Sequence, residues 1–377
     1  MQRHLAPLIA RDLQRKMVFL TGPRQAGKTT LAQHLARDTA NTQILNWDVL
    51  SDRRVILDQS WLPSARLIVF DELHKMRDWK LWLKGVYDGR APGQAILVTG
   101  SARLEAFRQA GESLAGRYFV WHLLPVTVRE WVTATGASPE EALGRIIERG
   151  GFPEPLLAER PEDAQRWRRL YLEGLIRDDI LEFSRVAEIN AMRHFVTLLR
   201  QRVGSPTSLA SIARDLQVSP TTLARYLEIL EVLQIVFVVR PFHRNIARAL
   251  LKEPKVYFFD NGLVQGDEGA RFENACATAL LAHARFLQDA EGRSVSLHYV
   301  RDKDGREIDF AVCEDDAPLH LVECKLADPA VSPYLSRLAE RFPGANCLTL
   351  VRHLRQPERR GRVSVERAAD WLASLAA

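Results

Sequence analysis

The residues with the clearest chemical meaning form a glycine-rich segment near the start of the chain. It fits the phosphate-binding pattern G-x-x-x-x-G-K-[ST], with Gly22, Gly27, Lys28 and Thr29 at the fixed positions. An apolar run precedes this segment and a helical pattern follows it, so strand, loop and helix come in the required order. The backbone N–H groups of such a loop bind polyphosphate, with the positive helix N-terminus behind them. The segment therefore predicts a nucleoside triphosphate site.

The roles of the residues in this loop follow from the same pattern. Lys28 would reach the β- and γ-phosphates, and Thr29 would hold Mg²⁺. The predicted nucleotide-binding residues of the loop and the first helical turn are Gly22, Pro23, Arg24, Gln25, Ala26, Gly27, Lys28, Thr29 and Thr30.

A second apolar run, residues 66–70, ends in the two carboxylates Asp71 and Glu72. Buried parallel strands have continuous apolar sequences, and their carboxyl ends face the ligand crevice. Asp71 would bind Mg²⁺ through water, and Glu72 would orient and deprotonate the attacking water. Because a phosphate-binding loop lies upstream, we favour this catalytic interpretation over a solvated turn.

Polar and basic residues follow the next apolar run, residues 94–98. Thr99 or Ser101 would hydrogen-bond the γ-phosphate or the attacking water, and a strand that simply turns into a loop is the alternative. Arg103 and Arg117 are candidates for an arginine finger, a residue that stabilises transition-state charge and usually comes from a neighbouring subunit.

The composition is that of an ordinary globular protein with two or three domains. The chain has 377 residues, of which 46% are apolar and 26% charged, and its net charge is +5. Four scattered cysteines without a C-x-x-C spacing argue against a zinc site or a disulfide framework and fit a reducing cytoplasm. No run has the length of a membrane span, and the first residues lack the apolar core of a signal peptide. The slight basic excess suits a partner that carries phosphates.

The chain divides into four predicted regions. Residues 1–135 alternate strands and helices around the phosphate-binding loop, and residues 136–204 are mainly helical. Residues 205–265 contain two helical patterns and a strand, and residues 266–377 combine a helix with several strands.

The third region predicts a winged helix-turn-helix. Two helices flank a short turn at Gln217–Val218, Ser219 caps the second helix, and residues 235–240 form the strand of a wing. On the second helix the inward positions are Leu223, Leu227 and Leu230. The outward positions are Thr221, Thr222, Arg225 and Tyr226. Such a unit contacts DNA or packs against protein, and the sequence leaves both open.

The fourth region places carboxylates and a lysine on neighbouring strands. Glu323 and Lys325 point the same way along one strand, and Asp309 lies beside them if the strands pair. Glu273 is available from the preceding helix. Mg²⁺ and Mn²⁺ prefer oxygen ligands of this kind, and a lysine beside the metal activates water or stabilises the developing charge. The pattern predicts a metal-dependent nuclease-like site, with a structural ion-pair cluster as the alternative.

Taken in order, these motifs resemble a widespread prokaryotic family of AAA+-like ATPases. Its P-loop domain is followed by a winged helix and a C-terminal domain of the PD-(D/E)xK restriction-endonuclease-like fold. The resemblance rests on residues 22–30, 70–72, 97–101, 112–117, 150–153, 271–274, 307–310 and 322–325.

The resemblance implies an α/β protein with ATP and Mg²⁺ as its cofactors. Lys28, Thr29, Asp71 and Glu72 would carry ATP hydrolysis, and Arg117 is the preferred arginine finger. The nuclease signature maps onto Glu273, Asp309, Glu323 and Lys325, with Mg²⁺ or Mn²⁺ bound by the three carboxylates. Such ATPases act as rings, so the resemblance also implies a homo-oligomer, with a hexamer as one form.

These features predict an ATP-hydrolysing, DNA-processing enzyme of the cytoplasm that acts on duplex or branched DNA without a membrane partner. Its arginine-rich tail would hold phosphates or form a solvated face; the arginines are Arg352, Arg355, Arg359, Arg360, Arg362 and Arg367. The alternative is a regulatory NTPase switch, whose winged helix and C-terminal fold bind protein or RNA without cleavage. A DNA motor hydrolyses ATP faster on DNA, whereas a switch is indifferent to it.

Overall fold

The computed structural model contains two compact units, Met1–Leu124 and Pro125–Ala377. The residues that it describes are 1, 3–100, 114–176, 188–242 and 252–376. The boundary after Leu124 precedes the one predicted at residue 135, and the boundaries predicted at residues 204 and 265 fall inside the second unit. Over the described ranges, no helix is long and apolar enough to cross a membrane.

The first unit is built on a five-stranded parallel sheet with the strand order β2-β3-β4-β1-β5. Its strands are β1 (Met17–Thr21), β2 (Thr42–Asn46), β3 (Leu67–Asp71), β4 (Ala95–Thr99) and β5 (Tyr118–His122). Its helices are α1 (Ala6–Leu13), α2 (Lys28–Arg37), α3 (Leu50–Asp58) and α4 (Trp79–Asp88), with a 3₁₀ turn at Leu73–Lys75. Every residue of β1 and β3 is buried, as their apolar runs predict.

The register of this sheet brings the predicted catalytic residues to one edge. Asp71, the last residue of β3, is paired with Thr99, the last residue of β4. Leu20 of β1 is also paired with Thr99, and the phosphate-binding loop starts directly after β1. An aromatic core supports the sheet, with Phe70 and the Trp82 ring of α4 in edge contact at 5.3 Å.

The second unit combines helices with an eight-stranded mixed sheet of order β12-β13-β11-β10-β9-β8-β6-β7. Its helices are α5 (Val128–Thr135), α6 (Pro139–Arg149), α7 (Pro153–Leu157), α8 (Pro161–Gly174), α9 (Glu188–Arg200), α10 (Leu209–Leu216), α11 (Pro220–Val232), α12 (Glu268–Glu291), α13 (Pro333–Arg341) and α14 (Ala368–Ser374). Its strands are β6 (Val236–Pro241), β7 (Lys255–Phe258), β8 (Val295–Arg301), β9 (Glu307–Glu314), β10 (Ala317–Lys325), β11 (Asn346–Val351), β12 (Glu358–Arg360) and β13 (Val363–Arg367).

Helices α10 and α11 are consecutive and joined by a short turn at the position where the sequence predicts a helix–turn–helix. The chain turns through Gln217 in the left-handed region, and the Ser219 side chain accepts a hydrogen bond from the Thr222 N–H at 3.0 Å. The inward positions are buried as predicted: Leu223, Leu227 and Leu230. Strand β6 follows α11 and pairs antiparallel with β7.

The outward orientation predicted for Tyr226 is wrong, because this residue is only 1% exposed. Tyr226 lies three residues after Leu223 and four before Leu230, so it shares their buried face of the helix. Its ring is 6.5 Å from that of Phe195 in α9. An aromatic ring at an (i, i+3) position of the apolar stripe belongs to the core.

Beyond α12, strands β8, β9 and β10 form an antiparallel meander, and β11 lies parallel to β10. Val322 is paired with Phe310, so the next positions along the two strands, Glu323 and Asp309, are neighbours. The Cys324 N–H donates to Asp309 Oδ2 at 2.8 Å. The two strands thus pair, which is the condition under which the sequence places Asp309 beside Glu323.

A buried ion pair and a set of buried hydrogen bonds involve residues of two sequence motifs of the second unit. Arg168 of α8 donates through Nε to Asp260 Oδ2 at 2.9 Å, and the Asp260 side chain is 1% exposed. Gly150 has φ +74°, and a Cβ there would lie 1.9 Å from Asp260 Oδ1. Asn274 of α12 hydrogen-bonds both the N–H and the carbonyl of Phe258. The motifs at residues 150–153 and 271–274 therefore include residues that join α6, β7 and α12.

Candidate functional site

The phosphate-binding loop is held in place from two sides. Gly22 has φ +147°, and a Cβ at this position would lie 2.2 Å from the carbonyl oxygen of Leu123, at the end of β5. The buried Arg3 guanidinium donates to the carbonyls of Ala26, at 2.9 Å, and Leu124, at 2.6 Å. Gly27, with φ +98°, caps α2. The loop is thus shaped by close backbone contacts that only glycine permits at position 22.

Lys28 is buried within this loop. Its ammonium donates to the carbonyl oxygens of Gly22, at 2.9 Å, and Pro23, at 2.6 Å. Burial lowers the pKa of Lys28 to about 8, while the charges of Glu72 and Asp71 oppose that shift. A bound phosphate would replace these two carbonyls as the partner of the ammonium. Its negative charge would stabilise the charged form of Lys28.

Asp71 joins the loop to strands β2 and β4. Its Oδ2 accepts a hydrogen bond from the Thr29 hydroxyl at 3.0 Å and from Asn46 Nδ2 at 3.3 Å, and its Oδ1 accepts one from the Thr99 hydroxyl. Thr29 and Asp71 thus present adjacent oxygens at the loop. These residues fit a Mg²⁺ ion, whose remaining ligands would be phosphate oxygens and water.

Glu72 lies next to this pair in a left-handed conformation, with φ +57°. Its N–H donates to the Thr99 carbonyl at 3.0 Å, which holds the backbone against β4. Its carboxylate lies 3.3 Å from the Lys75 ammonium and 3.7 Å from His74 Nε2, and Lys75 is also paired with Asp48. Glu72 is therefore a positioned carboxylate beside Asp71, with its side chain 23% exposed.

The remaining predicted residues of this unit lie at different places. The Thr99 hydroxyl donates a hydrogen bond to Asp71. A contact of this hydroxyl with phosphate or water stays a prediction. Arg117 precedes β5 at the sheet edge opposite the phosphate-binding loop, and it pairs with Asp88 at 2.8 Å. Any role as an arginine finger would therefore be in the site of a neighbouring subunit. Ser101 and Arg103 lie outside the described residues.

A second group of ionisable residues lies in the C-terminal region around Lys255. The Lys255 ammonium is 2.7 Å from Glu307 Oε1, 3.2 Å from Glu273 Oε1 and 3.6 Å from Asp309 Oδ1. We call Lys255, Glu273, Glu307 and Asp309 the carboxylate cluster. The Lys255 side chain is 1% exposed, whereas each carboxylate side chain is between 20% and 23% exposed.

The surroundings of the carboxylate cluster shift its protonation equilibria. Burial acts to lower the pKa of Lys255, but the charges of Glu273, Asp309 and Glu307 together raise it above its ordinary value. Burial raises the pKa of Glu273, and so does the nearby charge of Asp309. The Tyr257 hydroxyl donates to Glu273 Oε1 at 2.7 Å.

Glu323 and Lys325 extend from β10 beside the carboxylate cluster. Burial raises the pKa of Glu323, which is hydrogen-bonded to Ser332. Its Oε2 atom is buried and has no hydrogen-bond partner among the described residues. The Lys325 ammonium donates to the Ala330 carbonyl at 2.6 Å and lies 3.8 Å from Asp328. The structure thus brings all four predicted residues to one region, with Lys255 among them.

The predicted metal ligands of this region do not fit a divalent cation in the arrangement observed. Glu273 and Asp309 already have oxygens directed at the Lys255 ammonium. In the part of the chain that the structure describes, no group of three or more His, Cys, Asp or Glu residues could hold a metal ion. Among the described residues, the unpartnered Oε2 of Glu323 favours a metal, but a single carboxylate oxygen is too few ligands.

The sequence motifs do not predict several residues that contribute to the two sites. Arg3 and Asn46 carry no local signal, because their partners lie far away along the chain. Lys255 interrupts the apolar run at residues 254–259, and a lysine inside a buried strand indicates a paired cation. Glu307 shares a strand face with Asp309, so the spacing of the two could have identified it.

Family models match the chain in three successive segments. An AAA domain matches residues 14–132, and two domains of unknown function match residues 140–267 and 268–366. Together with the geometry of Lys28, Thr29 and Asp71, the first match makes the N-terminal unit an AAA-like P-loop ATPase domain.

The chain is similar to uncharacterized proteins of bacteria and archaea. It is 32% identical over 367 residues to the uncharacterized protein Rv2008c of Mycobacterium tuberculosis and to Mb2031c of Mycobacterium bovis, covering 91% of this chain and 80% of each relative. The chain belongs to the family of these two mycobacterial proteins. The uncharacterized protein MJ1544 of Methanocaldococcus jannaschii is 22% identical over 287 residues, covering 68% of this chain and 64% of that protein.

Among solved structures, the likenesses are looser. The Walker-type ATPase PABY2304 of Pyrococcus abyssi has a TM-score of 0.44 at 13% identity, covering 69% of this chain and 93% of that one. The RuvB Holliday junction branch migration motor of Thermotoga maritima has a TM-score of 0.32 at 19% identity, covering 62% of this chain and 86% of that one. Neither likeness, at these TM-scores, bears on the function of the chain.

Proposed function

We propose that this protein is an ATP-hydrolysing enzyme that processes DNA, with ATP turnover at the N-terminal site coupled to DNA held by the second unit. The observation that carries the proposal is the contact of Thr29 with Asp71, next to Glu72, at the foot of the phosphate-binding loop. A protein that only binds nucleotide does not need a carboxylate positioned beside its Mg²⁺ ligands.

Each residue of the N-terminal site would have a separate role in ATP hydrolysis. The loop N–H groups and Lys28 would bind and orient the phosphates, and Thr29 and Asp71 would hold Mg²⁺. When bound, Mg²⁺ would neutralise part of the negative charge of the phosphates. Glu72 would accept a proton from the attacking water, and its backbone contact with Thr99 holds it beside Asp71 at the carboxyl end of β3.

The DNA part of the proposal is supported by the winged helix-turn-helix that we infer from α10, α11 and the β6–β7 pair. Thr221 and Arg225 are exposed at the start of α11, in the position from which a recognition helix contacts DNA. The Arg225 guanidinium also lies over the Tyr226 ring, at 5.9 Å from its centroid.

The arginine-rich tail gives less support to DNA binding than the sequence suggests. Arg352 is paired with Glu140, and its side chain is only 9% exposed. Arg360 is paired with Glu358 at 2.6 Å, and Arg367 donates to backbone carbonyls. A nearly buried, paired guanidinium such as that of Arg352 is a poor phosphate ligand, because contact with DNA would have to break its existing pair. The Arg360 pair is exposed and would cost little to break. Arg355 and Arg359 remain exposed.

Strand cleavage is a finer proposal, and we derive no step for it from the present geometry. It would require a metal at Glu273, Asp309 and Glu323, with Lys325 directed at the reacting phosphate. Cleavage dependent on Mg²⁺ or Mn²⁺ and abolished by Lys325→Ala would support it. A PD-(D/E)xK-like fold that binds DNA or protein without cutting is the alternative, and the position of Lys255 favours that alternative.

Oligomerisation is a further part of the proposal. Arg117 cannot reach the nucleotide site of its own chain, because it lies at the opposite end of the parallel strands. A ring in which Arg117 enters the neighbouring site would use this residue, and its pairing with Asp88 would have to break there. Mass measurement with and without ATP and Mg²⁺ tests this: a nucleotide-dependent ring supports the proposal, and a monomer under all conditions contradicts it.

The experiment that tests the proposed function is steady-state ATP hydrolysis with and without single-stranded, duplex and four-way-junction DNA. We expect several-fold stimulation by at least one DNA, absent in Lys28→Met. Arg225→Ala should weaken DNA binding and lower the slope of log affinity against log salt by about 1. The matched control is Arg166→Ala, an exposed arginine of α8, outside the proposed winged helix-turn-helix. ATP turnover that no DNA alters would contradict the coupling and favour a regulatory switch with a protein or RNA partner.

A further inference from the structure

The ammonium group of Lys255 lies where the sequence predicts a divalent metal. It contacts Glu307 at 2.7 Å, Glu273 at 3.2 Å and Asp309 at 3.6 Å. Two of these three carboxylates, Glu273 and Asp309, are predicted metal ligands. The third predicted ligand, Glu323, does not contact Lys255 among the ion pairs of the described residues. One fixed cation therefore takes the oxygens that a metal would need.

Lys255 is held in this place by its backbone and by its burial. It is in β7, where it pairs with Val239 of β6 and also forms a bridge with Pro206. Its side chain is 1% exposed and passes the Tyr299 ring at 5.6 Å. The ammonium is therefore shielded from solvent, and close packing around the side chain limits its movement.

The Glu273 carboxylate is closed on its other side. Gly204, which follows α9, has φ +78°, and a Cβ there would lie 2.8 Å from both Glu273 carboxylate oxygens. The Tyr257 hydroxyl donates to Glu273 Oε1 at 2.7 Å. Backbone, hydroxyl and ammonium thus flank this carboxylate on several sides, which reduces the room for a metal with its shell of waters.

The charges of the carboxylate cluster also argue against a bound divalent metal. Burying several carboxylates together is unfavourable unless cations or hydrogen bonds compensate them. Lys255 supplies that compensation from within the chain. A divalent ion placed among the same oxygens would face a positive neighbour that is unable to move away.

We propose that Lys255 is the permanent cation of the carboxylate cluster: it replaces a divalent metal, ties β7 to α12 and β9, and leaves the C-terminal domain a binding module without nuclease activity. This inference concerns the C-terminal site of the proposed function. Its test does not use ATP turnover, so the failure of one is distinguishable from the failure of the other.

The test is a titration of the full-length protein with Mn²⁺, followed by electron paramagnetic resonance of the free ion. The protein carries Asp71→Asn and no nucleotide is added, so that the N-terminal site does not contribute. We expect no Mn²⁺ site tighter than about 1 mM. Adding Lys255→Met should create one site per chain, and Mn²⁺ should then raise the thermal midpoint of the variant.

Lys325→Met is the matched control, because it removes another lysine of the same region whose ammonium contacts the Ala330 carbonyl. It should create no Mn²⁺ site. The proposal is overturned if Asp71→Asn protein with Lys255 intact binds one Mn²⁺ and loses it on Asp309→Asn. It is also overturned if folded Lys255→Met protein gains no site. If Lys255→Met does not fold, the titration with Lys255 intact decides by itself.

Discussion

Replacing Gly22 with alanine tests whether the phosphate-binding loop depends on its close contact with the end of β5. A Cβ at position 22 would lie 2.2 Å from the Leu123 carbonyl oxygen and 3.0 Å from its carbonyl carbon. The Leu123 N–H donates to the Thr21 carbonyl at 2.8 Å, which limits how far this segment can retreat. The loop itself must therefore move to accept the methyl group.

The magnitude follows from two separate effects. The backbone at Gly22, with φ +147°, is in a region essentially restricted to glycine, where another residue costs about 1–3 kcal/mol. Forcing a methyl group against a fixed carbonyl adds about 1–3 kcal/mol. We therefore expect Gly22→Ala to destabilise the N-terminal unit by about 2–6 kcal/mol. Because the displaced atoms form the phosphate site, ATP affinity should fall as well.

The assay is urea unfolding followed by tryptophan fluorescence, together with the dissociation constant for ATP. Gly93→Ala is the matched control: it also has positive φ, +79°, but an added Cβ would meet no described atom within 4 Å. That variant should lose only about 1–2 kcal/mol, from backbone strain, and keep its ATP affinity. If the two variants behave alike, the close approach to Leu123 does not shape the loop and the reasoning is wrong.

Two further substitutions test contacts that the sequence did not reveal. Asp260→Asn removes the charge that compensates the buried Arg168, so the second unit should lose about 3–5 kcal/mol of unfolding free energy, measured from the urea midpoint. Arg3→Met removes two charge-assisted hydrogen bonds, to the carbonyls of Ala26 and Leu124, each worth about 1.5–3 kcal/mol. It should destabilise the loop and weaken ATP binding, measured by titration with a fluorescent nucleotide.

Each of these substitutions has a control elsewhere in the chain. Asp163→Asn breaks an exposed ion pair with Arg160, at 3.0 Å, and should leave the urea midpoint unchanged. Arg11→Met replaces an arginine whose side chain is 58% exposed, and ATP binding should be unaffected. Equal losses in Asp260→Asn and Asp163→Asn would show that burial does not decide the strength of these pairs. Equal ATP affinities in Arg3→Met and Arg11→Met would show that Arg3 does not support the loop.

The N-terminal unit was predictable because its signals are local. The fixed residues Gly22, Lys28 and Thr29 lie within eight positions, and the buried strand before Asp71 reads as one apolar run. Parallel pairing then brings the ends of β1, β3 and β4 to one edge. The order of the strands and the anchor at Arg3 depend on contacts between distant segments, which a single sequence does not display.

In the C-terminal region, less of the site is predictable from the sequence. The spacing of Glu323 and Lys325, together with strand pairing at Asp309, correctly placed these side chains in one region. The sequence could not show that Lys255, more than fifty residues upstream of Asp309, enters the same cluster. A motif specifies which oxygens converge. The packing of other segments determines which cation these carboxylate oxygens bind.

The helix–turn–helix illustrates an error of a different kind. The sequence interpretation places Tyr226 outward, although its spacing from Leu223 and Leu230 puts it on the buried apolar stripe. Helical spacing, rather than side-chain polarity, decided its burial, as is common for the amphipathic tyrosine ring.

The most direct test of the central claim, ATP hydrolysis at the N-terminal site, compares wild type with Glu72→Gln in one experiment. ATP binding and single-turnover hydrolysis are both measured with Mg²⁺. We predict that wild type hydrolyses ATP, and that Glu72→Gln binds ATP with little change while its turnover falls by about 10²–10⁴-fold. If wild type binds ATP without hydrolysing it, or Glu72→Gln turns over like wild type, Glu72 is not the catalytic carboxylate and the account is contradicted.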